Sequence, residues 1–342
     1  MFNKKIKIFF FTSLIILLSA CNEEASTTDE NKMTITLVGS TPEDHAITLG
    51  AEKFKEIIEE RSNGQIEVDY YPNLQLGSLR EQVEANQMGT IDMSVSLLST
   101  ISPFVDEYEV LEYFFLWPEE EELIWEVLDE EPGREILSKL RQEGFEGLGF
   151  WAGGYKAVTS NDIPVLNMES FGGMSLRVAP SRTLITTFDQ YGAVPTPVDF
   201  GELYTALQQG TVDAQENPMD TINTMNLYEV QDHLTLLNHG YQFHVMTANQ
   251  EWFNSLSLET QELIQDAEKE ARLYARDLNE EQTQSYIDQI EEDADIEVHE
   301  LDEQARKEFT EMTEPLHEEL SDTERKMEIL NIINEALEEV EN

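Results

Sequence analysis

The stretch FGGMSLRVAPSRTLITTFDQYGAVPTPVDFGELYTALQQGTVDAQENP, residues 171–218, decides the fold. Met174 to Val178 is a short apolar run around Arg177. A guanidinium in a buried strand needs a partner, because an unpaired buried charge is costly. Pro180 stops strand pairing, and Ser181 or Thr183 can cap a helix that runs through Tyr191 and closes at Gly192. Val194 to Val198 reads as extended, since each proline drives its predecessor out of the α region. Asp199 is placed to cap a helix from Phe200 to Gln209, which Gly210 ends. Val212 to Gln215 reads as a strand running into Glu216, Asn217 and Pro218. The unit is strand, helix, strand, helix, strand. Its strand ends share one crevice, the place where open α/β sheets bind ligands.

Within this stretch, LRV followed by PTPVDFGELYTALQQGTVDAQENP resembles the DctP-type solute-binding proteins of TRAP transporters. Their pattern is roughly (L/I)RVP and then PTPMxFxEVYxALQxGxVDGQENP. The likeness continues in Tyr228-Glu229-Val230-Gln231 and in LLNHGY, Leu236 to Tyr241. Upstream it includes AEKFKEIIEERSNGQIEVDYYPNLQLGSLREQVEANQMGTIDM, and it covers most of residues 33 to 320. The resemblance implies an α/β, two-domain, periplasmic-binding-protein-like fold with hinge strands and a long helix spanning both domains. It also implies closure about the hinge around a small organic acid.

Composition sets the outer bounds. The chain has 342 residues, enough for two domains, and a formal charge of -49. Phosphate backbones are repelled by such a surface, so nucleic acid is excluded as a partner. Against that background, a cation inside a cleft carries more information than in a neutral protein. The single cysteine, Cys21, rules out an intrachain disulfide. It follows Lys4, Lys5 and Lys7, the apolar run Ile8 to Leu18, and Ser19-Ala20. Leu18-Ser19-Ala20-Cys21 resembles a lipobox, and the run is short for a membrane span. Residues 1–20 therefore read as a lipoprotein signal peptide. Cys21 is the lipidation site, and residues 21–32 are a polar, flexible tether. The chain is expected outside the cytoplasm, on the outer face of the cell membrane.

Thr34 to Val38, a helix from about Ala46 to Ser62, and Ile66 to Tyr71 form a βαβ start. A helix Leu79 to Met88 and a strand Ile91 to Val95 follow, with Ser94, Ser96, Ser99 and Thr100 near its end. Helical segments are expected over 119–131 and over Gly133 to Glu143. Phe145 to Trp151 is a strand, with Gly153-Gly154 as a hinge. Tyr241 to Asn249 is a returning strand, Leu258 to Ala294 the long helix, and 303–342 further helices. Domain I is expected to be 33–153 plus about 243–282, and domain II 154–242 plus about 283–342.

Arg177 is the first candidate ligand residue, because a guanidinium grips a carboxylate through two parallel hydrogen bonds. By resemblance, the arginine at this motif position clamps the substrate carboxylate. Asn217 offers a donor and an acceptor to the same group, or acts as a turn residue before Pro218. Lys156 stands where relatives usually carry arginine, and it supplies a point charge without the planar fork. Glu216 is placed to hold Arg177 or to accept hydroxyls. Phe200 and Trp151 are candidates for apolar walls or for core, and His239 for a ligand contact or for packing. Arg80, in LGSLRE, resembles an arginine common in the family, although Ser78 and Leu79 replace the acids that often precede it.

No nucleophile elbow, phosphate loop or HExxH occurs, and the six histidines show no metal-ligand spacing. No enzyme, cofactor or metal is expected. The reading is a receptor that hands an organic acid (a dicarboxylate, a sugar acid such as a uronate, or a keto acid) to the small and large membrane subunits of a TRAP permease. A receptor coupled to a signalling histidine kinase is the alternative.

Overall fold

The computed structural model describes residues 32–293 and 295–341. The expected signal peptide, Cys21 and all of the expected tether except Lys32 lie outside the described residues. The described chain begins with β1 (Met33–Gly39), the helix Ala46–Arg61 and β2 (Ile66–Tyr71), with β2 parallel to β1. The helix forms because Phe54, Ile57 and Ile58 recur on one face and are buried. His45 caps its start by accepting from the Ile47 N–H, and Asn63 and Gly64, both at positive φ, end it. The next helix, Leu79–Gln87, opens with a capping box between Ser78 and Glu81. Then β3 (Met93–Leu97) adds in parallel on the other side of β1.

The central strand is β4 (Phe145–Ser160), which belongs to two sheets. Its first part pairs antiparallel with β9 (Tyr241–Asn249), itself antiparallel to β3. Its last part, Lys156 to Ser160, pairs with β7 (Ala214–Pro218). Beyond β7 lie β5 (Ser175–Val178) and β6 (Val194–Pro197), all parallel. The order is β2-β1-β3-β9-β4-β7-β5-β6, with β8 (His233–Leu236) also on β4 and β10 (Glu297–Glu300) on β8. The change of sheet falls between Tyr155 and Lys156, just beyond the register break between Ala152 and Gly154. Gly154 has φ +94, and a Cβ on Gly153 would meet the Gln242 carbonyl at 2.7 Å. The expected hinge glycines thus lie inside a continuous strand, at the register break just before it changes partners.

Both sheets are covered on both faces. In the first domain, one face packs Ile35, Phe54, Trp151 and the first half of the long helix Leu258–Asp293. The other packs Tyr108, Phe145, Phe150 and the helix Glu324–Val340 through Ile329, Ile333 and Leu337. The expected domain II includes this C-terminal helix, whereas its apolar stripe is buried on the first domain. In the second domain, Val158, Leu176 and Phe188 form one core and Leu203, Val212 and Ile290 the other. Ile290 lies late in the long helix, whereas Ile264 and Ala271 lie early in it, so this helix spans both domains. Arg272 and Arg276 fasten it to Asp129, and the Arg276 guanidinium lies 3.7 Å from the centre of the Trp125 ring.

Local shifts have local causes. The segment expected to be a helix from Phe200 begins as a 3-10 turn, Phe200–Glu202, before Leu203–Gln208, and the Asp199 side chain makes no cap bond. Strand β7 starts at Ala214 rather than Val212; just before it, Asp213 accepts the Ser175 N–H on its carboxylate at 3.0 Å and donates its own N–H to the Ser175 carbonyl at 2.7 Å.

Candidate ligand site between the two domains

The carboxyl ends of β5, β6 and β7 point toward the first domain. The helix Met219–Thr224, which follows β7, meets the turn that follows β1. There Asp220 Oδ2 accepts the Ala46 N–H at 3.0 Å and lies 3.0 Å from His45 Nδ1. Leu74, in the loop after β2, packs beside Gly201 after β6. The strand ends of both domains therefore converge on one region, where an α/β ligand site belongs.

Register sorts the polar side chains onto two faces. Arg177 on β5 is the register partner of Gln215 on β7, so Arg177, Gln215 and Asn217 share a face. Asn217 Nδ2 donates to Gln215 Oε1 at 2.5 Å, Gln215 Nε2 to Thr159 Oγ1 at 3.0 Å, and Thr159 Oγ1 to Gln231 Oε1 at 2.9 Å. This chain of bonds fixes the asparagine amide. Arg177 is 2% exposed. Its Nε and Nη2 both donate to the Val198 carbonyl, at 3.0 and 2.9 Å. Among the described residues it makes no ion pair. Burial lowers its pKa to about 10, against the through-space pull of Glu216 and Asp199, so it stays charged at neutral pH. A desolvated cation whose bonds run only to a carbonyl is prepared for an anion from outside the chain.

Lys156 and Glu216 occupy the opposite face. Lys156 Nζ lies 2.9 Å from Glu216 Oε2, and His239 Nε2 lies 3.4 Å from the same oxygen. Burial opposes ionisation of Glu216, yet Lys156 and His239 outweigh it and hold the carboxyl below its usual range. Burial likewise lowers His239, in spite of Glu216. Its ring packs against Phe114 and Phe188, with centroids 4.5 and 5.6 Å away. Glu112 joins this cluster. Burial pushes it up to about 7 although Lys156 pulls the other way, and Ser181 Oγ donates to it at 3.3 Å.

The structure thus brings together Arg177 with Asn217, and Lys156 with Glu216 and His239. Phe200 is half-buried at the end of β6, packed on the second domain's core. Trp151 is fully buried among Gly50, Ala271 and Ala275, and its indole N–H donates to Glu268 at 2.9 Å. It belongs to the first domain's core, because β4 carries it beneath the long helix. Arg80 is exposed, paired with Glu84 at 2.8 Å across one helix turn and 5.6 Å from the Phe104 ring centre. Ser94 and Ser96 bond to one another, and Ser94 also pairs with Thr247. Sequence reasoning missed Glu112, His45 and Asp220. A signal existed for Glu112, a lone acid inside the apolar run VLEYFFLW. The other two meet only in the folded chain.

The model of the bacterial extracellular solute-binding proteins of family 7, the DctP family, matches residues 37–323. The chain belongs to this family. Its members are the extracytoplasmic receptors of TRAP transporters, not catalysts. Among relatives, the C4-dicarboxylate-binding periplasmic protein of Rhodobacter capsulatus is 35% identical over 234 residues, which is 68% of this chain and 70% of that protein. A solute-binding protein of Desulfovibrio salexigens, solved with orotic acid, superposes with a TM-score of 0.87 at 29% identity, covering 90% of this chain and 100% of that one. The sugar acid binding protein of Advenella mimigardefordensis, solved with galactonate, gives 0.84 at 28% identity and covers 90% and 99%. The DctP-type fold accounts for the hinge in β4 and for the long helix across both domains. Among the described residues, no helix is long and apolar enough to cross a membrane.

Proposed function

We propose that this receptor captures a small organic acid between its domains and delivers it to the small and large membrane subunits of a TRAP permease. The reading rests above all on Arg177, a buried guanidinium that among the described residues has a backbone carbonyl but no carboxylate for a partner. A ligand carboxylate would take the donors that Val198 leaves free, and the Asn217 amide would fix the orientation of that carboxylate or of a neighbouring hydroxyl. Lys156 acts at one remove: bound to Glu216, it sets the charge behind the site rather than forming a second fork. Phe200 provides an apolar wall, and His239 and Glu216 support Lys156. Closure excludes water and strengthens the charge contacts. That the galactonate, orotic acid and C4-dicarboxylate proteins share the fold agrees with a carboxylate as the common element.

In this reading residues 1–20 are removed and Cys21 carries a diacylglyceryl anchor, whose two chains hold the receptor at the outer membrane face. A thermal-shift screen over dicarboxylates, uronates, aldonates, keto acids and sialic acids tests the ligand class. One class should raise the melting temperature by several degrees. If none does, while uncharged sugars or amines do, the organic-acid reading is wrong.

A further inference from the structure

Strands β8 and β10 are parallel neighbours with His233 opposite Glu297 and Thr235 opposite His299. Alternation puts Leu234 and Val298 on the face that packs into a core, and His233, Glu297 and His299 together on the other. Their donor atoms converge. His233 Nδ1 lies 3.2 Å from His299 Nε2 and 3.5 Å from Glu297 Oε2, and His299 Nε2 lies 3.8 Å from that same oxygen.

Those three separations bracket the spacing that a metal would impose. A tetrahedral zinc with bonds of about 2.0–2.2 Å holds its ligand atoms roughly 3.3–3.6 Å apart. Two neutral imidazoles brought nose to nose can also share one hydrogen bond. That arrangement, however, does not require a carboxylate oxygen within 4 Å of both nitrogens.

We propose that His233, Glu297 and His299 form a binding site for one divalent transition-metal ion of the zinc class. Two imidazole nitrogens and one carboxylate favour such an ion over calcium or magnesium, which take all-oxygen shells. The three ligands leave a fourth position open, and the Glu297 side chain, 74% exposed, faces solvent there. The site stands at the Ser160 end of β4, since His233 is the register partner of Ser160. The ligand site lies at the Lys156 end, so the two are separate and this inference does not depend on the ligand reading. Bound metal would join β10, which follows the long helix, to the edge of the second domain. It would thereby stabilise the fold rather than touch the solute.

The test is calorimetric titration of zinc into the Cys21→Ser chain, so that no thiol competes, at about pH 7.5 where imidazole is ordinarily neutral. Excess calcium occupies the many surface carboxylates. One saturable zinc per chain is expected, with His233→Ala and His299→Ala each weakening it at least about a hundredfold. His317→Ala, elsewhere in the fold, should have no effect. Cobalt in place of zinc should give the strong visible bands of a tetrahedral ion, lost in the same two variants. Should either histidine variant fail to fold, Glu297→Gln at an exposed side chain decides, with at least tenfold weaker binding expected. Absence of saturable zinc binding, or binding unchanged in these variants, would overturn the proposal.

Discussion

Lys156 Nζ and Glu216 Oε2 stand 2.9 Å apart with both side chains almost fully buried, on the sheet face opposite Arg177. A buried pair of this kind is hard to dismantle one side at a time, because the survivor keeps its charge without water. Glu216→Gln should destabilise the protein by about 3–5 kcal/mol in urea titration. The double variant Lys156→Met/Glu216→Leu should lose far less than the sum of the single changes. Additive losses would show that the two do not act as a pair.

Glu112 gives the structure a pH dependence. Burial raises its folded pKa to about 7 from 4.5, so between those values the folded chain holds a proton that the unfolded chain has released. Stability from this group is therefore greatest at the acid end of the window and declines as pH rises through it. Over the whole window the decline amounts to roughly 3 kcal/mol. Glu112→Gln should remove that slope. The difference in stability between wild type and variant, measured by denaturation at several pH values, should change most between about pH 5 and 7. A difference independent of pH contradicts the assignment.

Asp220 joins the domains by accepting the Ala46 N–H beside His45. The contact ties the turn after β1 to the helix after β7, so it should favour a closed arrangement. Asp220→Ala should weaken ligand binding by about tenfold by lowering the closed population, without touching the ligand. Small-angle scattering should show a larger radius of gyration at subsaturating ligand. Unchanged affinity and radius would mean that closure does not depend on this contact.

Gly154 sits in the left-handed region at φ +94, at the register break just before β4 changes partners. Gly154→Ala should cost more than about 1 kcal/mol of stability, since alanine is strained at positive φ. A thermal melt checks it, and an unshifted midpoint would show that the strand rearranges freely there.

Much of this molecule could be read before folding, and the reasons differ by residue. The positions of Arg177 and Asn217 on strands were legible because a strand ending, a proline and a glycine stop are local signals within residues 171–218. The long helix was legible from its apolar period, and its observed span Leu258–Asp293 lies close to the expected one. The Lys156–Glu216 pair was not, because an antiparallel register between residues 60 positions apart leaves no mark in spacing. Trp151 was ambiguous in sequence because a large ring lines a pocket or fills a core equally well; the long helix above it decides. Arg80 lay in a matching motif, yet Glu84 one turn later takes its guanidinium at the surface. His233 and His299 were invisible as neighbours for the same reason as the Lys156–Glu216 pair: parallel pairing of β8 with β10 joins distant segments.

The central claim is that Arg177 holds the ligand's carboxylate. Calorimetric titration of Arg177→Ala with the acid that most raises the wild-type melting temperature tests it most directly. The account predicts a loss of roughly 2–5 kcal/mol in binding free energy, with a folded variant whose melting temperature no longer responds to that acid. Affinity within a factor of two of wild type would contradict it.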